Sequence, residues 1–184
     1  MISFTIKQTP VAQPRHRTHV LTDKAGNVIK GSSGQAIVDH YIPKDNPVHL
    51  FKYIVSVETR KVIPKPLIEC CLVLTARFFL PRPQWCDAMV GRGKERVPKY
   101  PPGALRHRAK PDLDNLLKSL KDAMTGIAWK DDSQVVEYGS GTGKFYHENG
   151  GEPRVEIMIE KVDINPEQTY VDEPDRHPEY EEVY

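Results

Sequence analysis

The sequence contains few cysteines and no long apolar run. Only three of its 184 residues are cysteine, and two of these, Cys70 and Cys71, are adjacent. This number and spacing are typical of neither a disulfide framework nor a tetrahedral zinc site. No apolar segment approaches the length of about 20 residues that a membrane helix needs, and no signal peptide precedes the first strand-like segment. We therefore expect a cytoplasmic protein that does not enter a membrane.

The sequence also lacks a nucleotide-binding glycine motif. Residues 139–144 are rich in glycine and end in a lysine. A phosphate-binding loop would require glycine in place of Tyr138 and a hydroxyl side chain in place of Phe145. The dinucleotide-binding pattern fails as well, because its third glycine would fall at Lys144. These residues are more typical of a hairpin connection or a strand edge.

The net charge is close to zero, but the charges are unevenly distributed. The chain carries 26 Lys and Arg against 25 Asp and Glu. Residues 163–184 contain eight of the acidic residues and one basic residue, Arg176, so the rest of the chain is basic. A basic body indicates a polyanionic partner. We predict one domain over residues 1–162, followed by an acidic and flexible tail over residues 163–184.

Two pairs of aspartates flank a predicted helix. Asp112 and Asp114 lie at its start, and Asp131 and Asp132 follow its end. The residues between the pairs place apolar side chains on one helix face, namely Leu113, Leu116, Leu117, Leu120, Met124 and Ile127. Asp114 or Asn115 is predicted to cap the helix, and Gly126 to end it. The two pairs would meet if the chain turned back at Trp129 and continued as a strand.

Such a cluster of carboxylates favours a metal site. Four neighbouring carboxylates repel one another unless a cation lies among them, and ligands that are all oxygen suit Mg²⁺ or Mn²⁺. Lys118 lies one helical turn after Asp114 on the same face, where its ammonium would stabilise negative charge on a bound phosphate. Each aspartate pair alone is more typical of a helix start or a turn. The combination with Lys118 makes the metal site the favoured interpretation.

Basic residues precede this motif in two places. Arg15 and Arg17 lie in a loop after the first predicted strand. Residues from about 82 to 110 are rich in Lys, Arg, Pro and Gly, and they end with Arg106, Arg108 and Lys110. Guanidinium groups bind phosphate through paired hydrogen bonds. We interpret the first loop as a source of phosphate contacts, with a solvated basic loop as the alternative. We interpret the second segment as a mobile basic loop that clamps DNA and becomes ordered on binding, with a disordered insertion without function as the alternative.

The predicted elements alternate between strands and helices. A strand over residues 2–7 is followed by a helix that begins at Pro47 and ends near Val62. A long apolar strand falls within residues 67–80, then come the helix between the aspartate pairs, a strand from Gln134 and a last strand over residues 154–162. This order, β-α-β-α-β-β, predicts an α+β domain with a small mixed sheet and helices packed against it.

The segment from Lys110 to Tyr138 resembles the signature of the RusA family of Holliday junction resolvases, which are small Mg²⁺-dependent endonucleases found largely in phages and prophages. The runs D-L-D-N-L-L-K, D-A-M and W-K-D-D-S-Q-V-V-E-Y carry the resemblance. It implies the same α+β outline. It also implies that Asp112, Asp114 and Asp132 bind the metal, with Asp131 as a neighbour, and that Lys118 is the essential lysine.

The resemblance implies a structure-selective endodeoxyribonuclease that resolves four-way junctions by paired phosphodiester hydrolysis in DNA recombination and repair. The family works as a symmetric dimer, which suits a substrate that needs two matched cuts. Apolar residues that offer a dimer surface are Phe51, Val55, Phe78 and Phe79, although Phe78 and Phe79 are more simply placed in the core.

Two other classes of function are compatible with these residues. One is a non-catalytic basic DNA-binding protein, in which the aspartates only cap a helix and form a turn. The other is a metal-dependent nucleotide-sugar transferase that uses Asp112 and Asp114 as a D-x-D site. A transferase of this kind usually has a nucleotide-binding half, which this sequence lacks.

Overall fold

The computed structural model describes residues 1–63 and 68–162. The predicted acidic tail, residues 163–184, lies outside the described residues. Within the described part, no helix has both the length and the apolar composition needed to cross a membrane. The helices and strands are, in chain order, β1 (Ile2–Ile6), β2 (Arg17–Val20), β3 (Val38–Tyr41), α1 (Pro47–Val62), β4 (Leu72–Leu80), β5 (Met89–Val90), β6 (Val97–Pro98), β7 (Leu105–Arg106), α2 (Leu113–Met124), β8 (Val135–Tyr138), β9 (Gly143–Tyr146) and β10 (Arg154–Lys161).

A mixed sheet of six strands forms the centre of the fold. Five of its strands follow the order β1-β10-β4-β9-β7. β10 pairs antiparallel with both β1 and β4. Along its other edge, β4 pairs in parallel with β8 near Leu72 and with β9 near its end at Leu80. The prediction of a small α+β domain with a mixed sheet is therefore confirmed.

The core lies between this sheet and the two long helices. Alternate side chains of a strand lie on one face of the sheet. In β4 the core face carries Leu72, Leu74, Ala76, Phe78 and Leu80. Phe51 and Val55 of α1 and Leu116 and Leu120 of α2 pack in the same core, all four fully buried.

The four residues predicted to offer a dimer surface are not exposed, so this prediction is wrong. Phe51, Val55 and Phe78 are fully buried in the core. Phe79 lies on β4 between core positions and is 3% exposed. The Arg154 guanidinium lies 3.8 Å from the centroid of its ring. The simpler interpretation of Phe78 and Phe79, burial in the core, is confirmed for both.

Local sequence explains where α1 begins, and two side-chain contacts join it to α2. The Asn46 side chain accepts a hydrogen bond from the Val48 amide, and Pro47 occupies the first turn of α1, where a missing N–H costs little. α1 and α2 are joined by a Lys52–Asp122 ion pair of 2.8 Å. The Ser56 hydroxyl also donates to the carbonyl oxygen of Ala123 at 2.9 Å. These contacts fix α2, which carries the first aspartate pair, against the rest of the core.

The segment predicted as one long basic loop, residues 82–110, has local structure of its own. β5 and β6 form a short hairpin, and β7 pairs with β9 at the edge of the main sheet. The side chain of Arg82 is 3% exposed and donates hydrogen bonds to Asp87 and to four backbone carbonyls, those of Cys86, Pro101, Gly103 and His147. The segment therefore contains short strands, and Arg82 holds it to the body. Its mobility stays a prediction.

A second extension lies near the N-terminus. β2 and β3 pair only with each other and form a two-stranded sheet separate from the main one. Between them the chain turns at Gly26 and Gly34, which have φ angles of 86° and 78°, a region that favours glycine. We call residues 17–41 the arm. Its exposed large apolar residues are Val20, Val28, Ile29, Ile37, Val38 and Tyr41.

Candidate active site

The first aspartate pair lies at the start of α2. Asp112 is the N-cap residue, rather than the predicted Asp114 or Asn115, and its carboxylate accepts no hydrogen bond from the first-turn amides. Asp114 lies in the first turn. Both residues are exposed. The positive end of the helix dipole favours negative charge at these positions, and both side chains are accessible to solvent.

Two neighbouring segments hold this end of α2. The Lys144 ammonium donates to the carbonyl oxygens of Ala109 and Pro111, each at 2.6 Å. The backbone N–H of Gln13 donates a hydrogen bond to the backbone carbonyl oxygen of Asn115 at 2.8 Å. One turn further along, the buried Ser119 hydroxyl donates to the carbonyl oxygen of Val11 at 2.6 Å. The segment that leads into the arm therefore runs directly beside the first half of α2.

The chain reverses after α2 as predicted. Gly126 has a φ angle of 74° and lies just past the helix end. Trp129 is fully buried, and its indole N–H donates to the Thr125 hydroxyl at 3.2 Å. β8 then begins at Val135 and runs parallel to β4. This reversal returns the second aspartate pair to the side of α2.

The two aspartates of the second pair have different environments. Asp131 caps a short 3-10 turn, Asp132–Gln134, by accepting a hydrogen bond from the Ser133 amide at 2.9 Å. Hydrogen bonds from the side chain and the backbone amide of Ser133 lower the pKa of Asp131. The Gln134 side chain completes the turn by accepting from the amides of Lys130 and Asp131. Asp131 therefore stabilises the turn that presents Asp132.

One cavity brings residues of both pairs together. It has a volume of about 260 Å³, and its lining residues are Asp114, Leu117, Lys118, Lys121, Asp132 and Tyr138. Three of the predicted catalytic residues, Asp114, Lys118 and Asp132, thus share one site. Asp112 and Asp131 are not among the residues that line it. The side chain of Asp132 is 45% exposed, so the cavity is open to solvent.

Lys121 also belongs to this site, although it is not among the residues predicted from the sequence. Its ammonium lies 3.2 Å from the Oδ2 atom of Asp132 and 6.0 Å from the centroid of the Tyr138 ring. Burial alone would lower the pKa of Lys121, but the hydrogen bond to Asp132 and the neighbouring Tyr138 raise it above the ordinary lysine value. The helix period gave a signal, because Lys121 follows Asp114 by seven residues and Lys118 by three.

The donor set of the cavity fits a hard divalent cation. In residues 1–63 and 68–162, no three His, Cys, Asp or Glu side chains converge closely enough to form a complete metal site. The predicted convergence of all four carboxylates is therefore not seen. Mg²⁺, however, is usually held by one or two carboxylates together with water and substrate phosphates. Asp114 and Asp132 supply such a pair, and Asp112 lies two residues from Asp114.

The basic side chains predicted to contact DNA lie on the surface. All five residues predicted to contact DNA, Arg15, Arg17, Arg106, Arg108 and Lys110, are exposed. Arg106 is ordered by packing, since its guanidinium lies 4.9 Å from the centroid of the Phe145 ring. The β5–β6 hairpin adds three exposed basic residues, Arg92, Lys94 and Arg96. DNA contact by these residues stays a prediction.

Comparison with known proteins covers the whole site. The model of the family described as endodeoxyribonuclease RusA matches residues 9–160. The chain is also similar to a protein of Bacillus subtilis (strain 168), described as uncharacterized protein YqaN. The two are 32% identical over 161 residues, which is 88% of this chain and 96% of the Bacillus protein. The family match includes α2, the turn that presents Asp132 and the β5–β6 hairpin.

Proposed function

This chain belongs to the RusA endodeoxyribonuclease family, and we propose that it resolves four-way DNA junctions by metal-dependent hydrolysis of paired phosphodiester bonds. The observation that carries the proposal is the cavity that unites Asp114, Asp132 and Lys118. Two carboxylates and a lysine at one open site suit the binding of a cation and a phosphate together. The exposed basic residues of the chain suit a polyanionic substrate.

Each residue of the site has a distinct role in the proposed reaction. Asp114 and Asp132, with Asp112 beside them, would hold Mg²⁺ or Mn²⁺. When bound, the cation activates water and neutralises charge on the phosphate. Lys118 would donate to the phosphate oxygens and stabilise the negative charge that grows on them in the transition state. Asp131 would act through the turn, by fixing the backbone of Asp132.

The two alternatives from the sequence have less support. Membership of an endodeoxyribonuclease family disfavours a nucleotide-sugar transferase. In a non-catalytic DNA-binding protein, the aspartates would only cap and turn. Asp131 does have that role. Asp114 and Asp132, however, line a cavity with two lysines, which a cap or a turn does not require.

Cleavage of a cruciform plasmid tests the proposed function. The protein is incubated with the plasmid and increasing Mg²⁺, and the products are separated as nicked circles or linear molecules. We expect no cleavage without a divalent cation and linear product in its presence, because a resolvase cuts two strands at matching positions. Nicked circles alone would contradict junction resolution and would indicate a simpler nickase. No cleavage at any Mg²⁺ or Mn²⁺ concentration would contradict nuclease activity.

Paired cutting requires two active sites, so the proposal includes a homodimer. A two-fold symmetric pair presents the same surface from each copy and places two identical sites in one assembly. Phe51, Val55 and Phe78 are fully buried and do not provide that surface. Light scattering of the protein used in the plasmid assay would measure its mass. A monomer that produced only nicked circles would contradict both parts of the proposal.

The β5–β6 hairpin is proposed to bind a DNA arm through its three basic residues. Changing Arg92, Lys94 and Arg96 together to glutamine is expected to weaken junction binding and flatten its salt dependence. Each lost phosphate contact lowers the slope of log K against log salt by about 0.9 for duplex DNA. Binding is measured by fluorescence anisotropy at several salt concentrations.

Lys61 provides the matched control for this experiment. It is an exposed lysine near the end of α1 that pairs with Glu58, and a surface pair of this kind contributes little to stability. Lys61→Gln should leave the salt slope unchanged. An equal slope for the triple variant and the unmodified protein would show that the hairpin does not contact DNA.

A further inference from the structure

Lys121 forms a direct ion pair with one of the proposed metal ligands. Its ammonium lies 3.2 Å from Asp132 Oδ2, and its side chain is only 18% exposed. Lys118, one turn earlier on α2, lines the same cavity but forms no ion pair within 4.0 Å in the described part of the chain. Of the two lysines on this helix face, only Lys121 therefore forms an ion pair with a carboxylate of the site in the described part of the chain.

We propose that Lys121 holds the Asp132 carboxylate when no metal is bound, and that a divalent cation must compete with Lys121 for it. The inference rests on the proposed function, because it takes Asp132 to be a metal ligand. It assigns Lys121 a positioning role, distinct from the phosphate-binding role of Lys118.

The backbone around Asp132 is fixed by other residues, so Lys121 acts on the side chain. The Asp131 and Gln134 side chains close the turn on either side of Asp132. The side-chain amide of Gln134 also donates hydrogen bonds to the backbone carbonyl oxygens of Ile68 and Cys70. These bonds hold the turn against the segment that precedes β4. The carboxylate of Asp132 extends from this rigid turn, and the ion pair with Lys121 sets its direction.

The cavity provides a second place for the lysine. Tyr138 lines the same cavity, and its ring centroid lies 6.0 Å from the Lys121 ammonium. A lysine side chain has four rotatable carbon–carbon bonds, so a small rotation can move the ammonium from Asp132 towards Tyr138. Lys121 can thus release the carboxylate without leaving the site.

The ion pair also has an electrostatic consequence. Two carboxylates that share a cavity repel each other when no cation is present. The Lys121 ammonium partly offsets that repulsion in the metal-free protein. The same positive charge repels an incoming divalent cation, so it should weaken metal binding. Metal affinity measured without DNA therefore reports on this role directly.

The test compares Mn²⁺ binding by the unmodified protein, Lys121→Met and Lys121→Arg, without DNA. Free Mn²⁺ is measured by electron paramagnetic resonance during titration. Methionine is unbranched and keeps most of the length of the side chain, but it removes the charge. We expect Lys121→Met to bind Mn²⁺ about tenfold more tightly, the scale of the Coulomb repulsion in water between one unit charge and a divalent ion several ångströms apart. Lys121→Arg keeps the charge and should stay close to the unmodified protein.

The outcomes separate this inference from the proposed function. Equal or weaker Mn²⁺ binding by Lys121→Met would overturn the competition with the metal but would leave the nuclease proposal standing. Failure of the unmodified protein to bind Mn²⁺ without DNA would also overturn the competition, whereas only the absence of cleavage in the plasmid assay would overturn the nuclease proposal. Circular dichroism melting confirms that each variant folds, and Lys121→Gln replaces the methionine variant if that one does not. Lys61→Met, remote in sequence from the site, controls for a general change in net charge.

Discussion

Junction cleavage is expected to fall by about a thousandfold or more when Asp114 or Asp132 is changed to asparagine. Asparagine keeps the size of the side chain but loses the charge that holds a divalent cation. A metal ion contributes several kcal/mol of transition-state stabilisation, and each 1.36 kcal/mol corresponds to about a factor of ten in rate. Asp112→Asn should have a similar effect, since Asp112 lies beside the site at the start of α2.

The same variants should bind the junction as well as the unmodified protein, or more tightly. Removing a negative charge near the substrate cannot weaken the attraction of the site for phosphate. Single-turnover cleavage and anisotropy binding, measured on one preparation, separate the two effects. A variant that lost binding and cleavage in proportion would contradict the assignment of that aspartate to the metal.

Two aspartates of this chain provide matched controls. Asp122 lies on α2 and pairs with Lys52 of α1, away from the residues that line the cavity. Asp122→Asn should leave cleavage within a fewfold of normal. Asp131→Asn, next to Asp132, should also retain most of the cleavage, because asparagine caps a turn about as well as aspartate. Near-normal cleavage by Asp132→Asn with a large loss in Asp131→Asn would show that the two roles are reversed.

The central helix could be predicted from sequence because its determinants are local. The apolar face of α2, the glycine after it and the buried tryptophan of the following turn all lie within 20 residues of one another. α1 could be predicted for the same reason, from the proline that begins it and the apolar spacing that follows. Local signals of this kind depend on short-range sterics and hydrogen bonding, which a single sequence displays.

Other features depend on partners distant in sequence. Arg82 belongs to a basic segment by composition, but it is buried because carbonyl groups from Pro101, Gly103 and His147 surround its guanidinium. Phe79 is covered because Arg154, on a neighbouring strand, lies over its ring. Composition and periodicity contain no information about such pairs, so neither contact could be predicted.

The candidate site also combines features set by local sequence with features set by residues distant in sequence. The spacing of Asp114 and Lys118 on one helix face could be predicted from the period of a helix. The separate environments of Asp131 and Asp132 could not, because they arise from a 3-10 turn whose hydrogen bonds involve Ser133 and Gln134. The Lys121–Asp132 ion pair likewise depends on how the returning chain packs beside α2.

Lys118→Met is expected to lower cleavage by about a hundredfold to a thousandfold, the usual cost of removing one group that stabilises charge in the transition state. Mn²⁺ binding without DNA should be retained, because Lys118 forms no ion pair with a carboxylate among the described residues. Lys121→Met provides the matched comparison, since both lysines line one cavity from the same helix face. If Lys118 acts on the phosphate, its replacement should reduce the single-turnover rate at saturating DNA and leave the junction Kd within a fewfold of normal. A loss that appeared only in Kd would assign Lys118 to general DNA binding, and a loss of Mn²⁺ binding would assign it to the metal site.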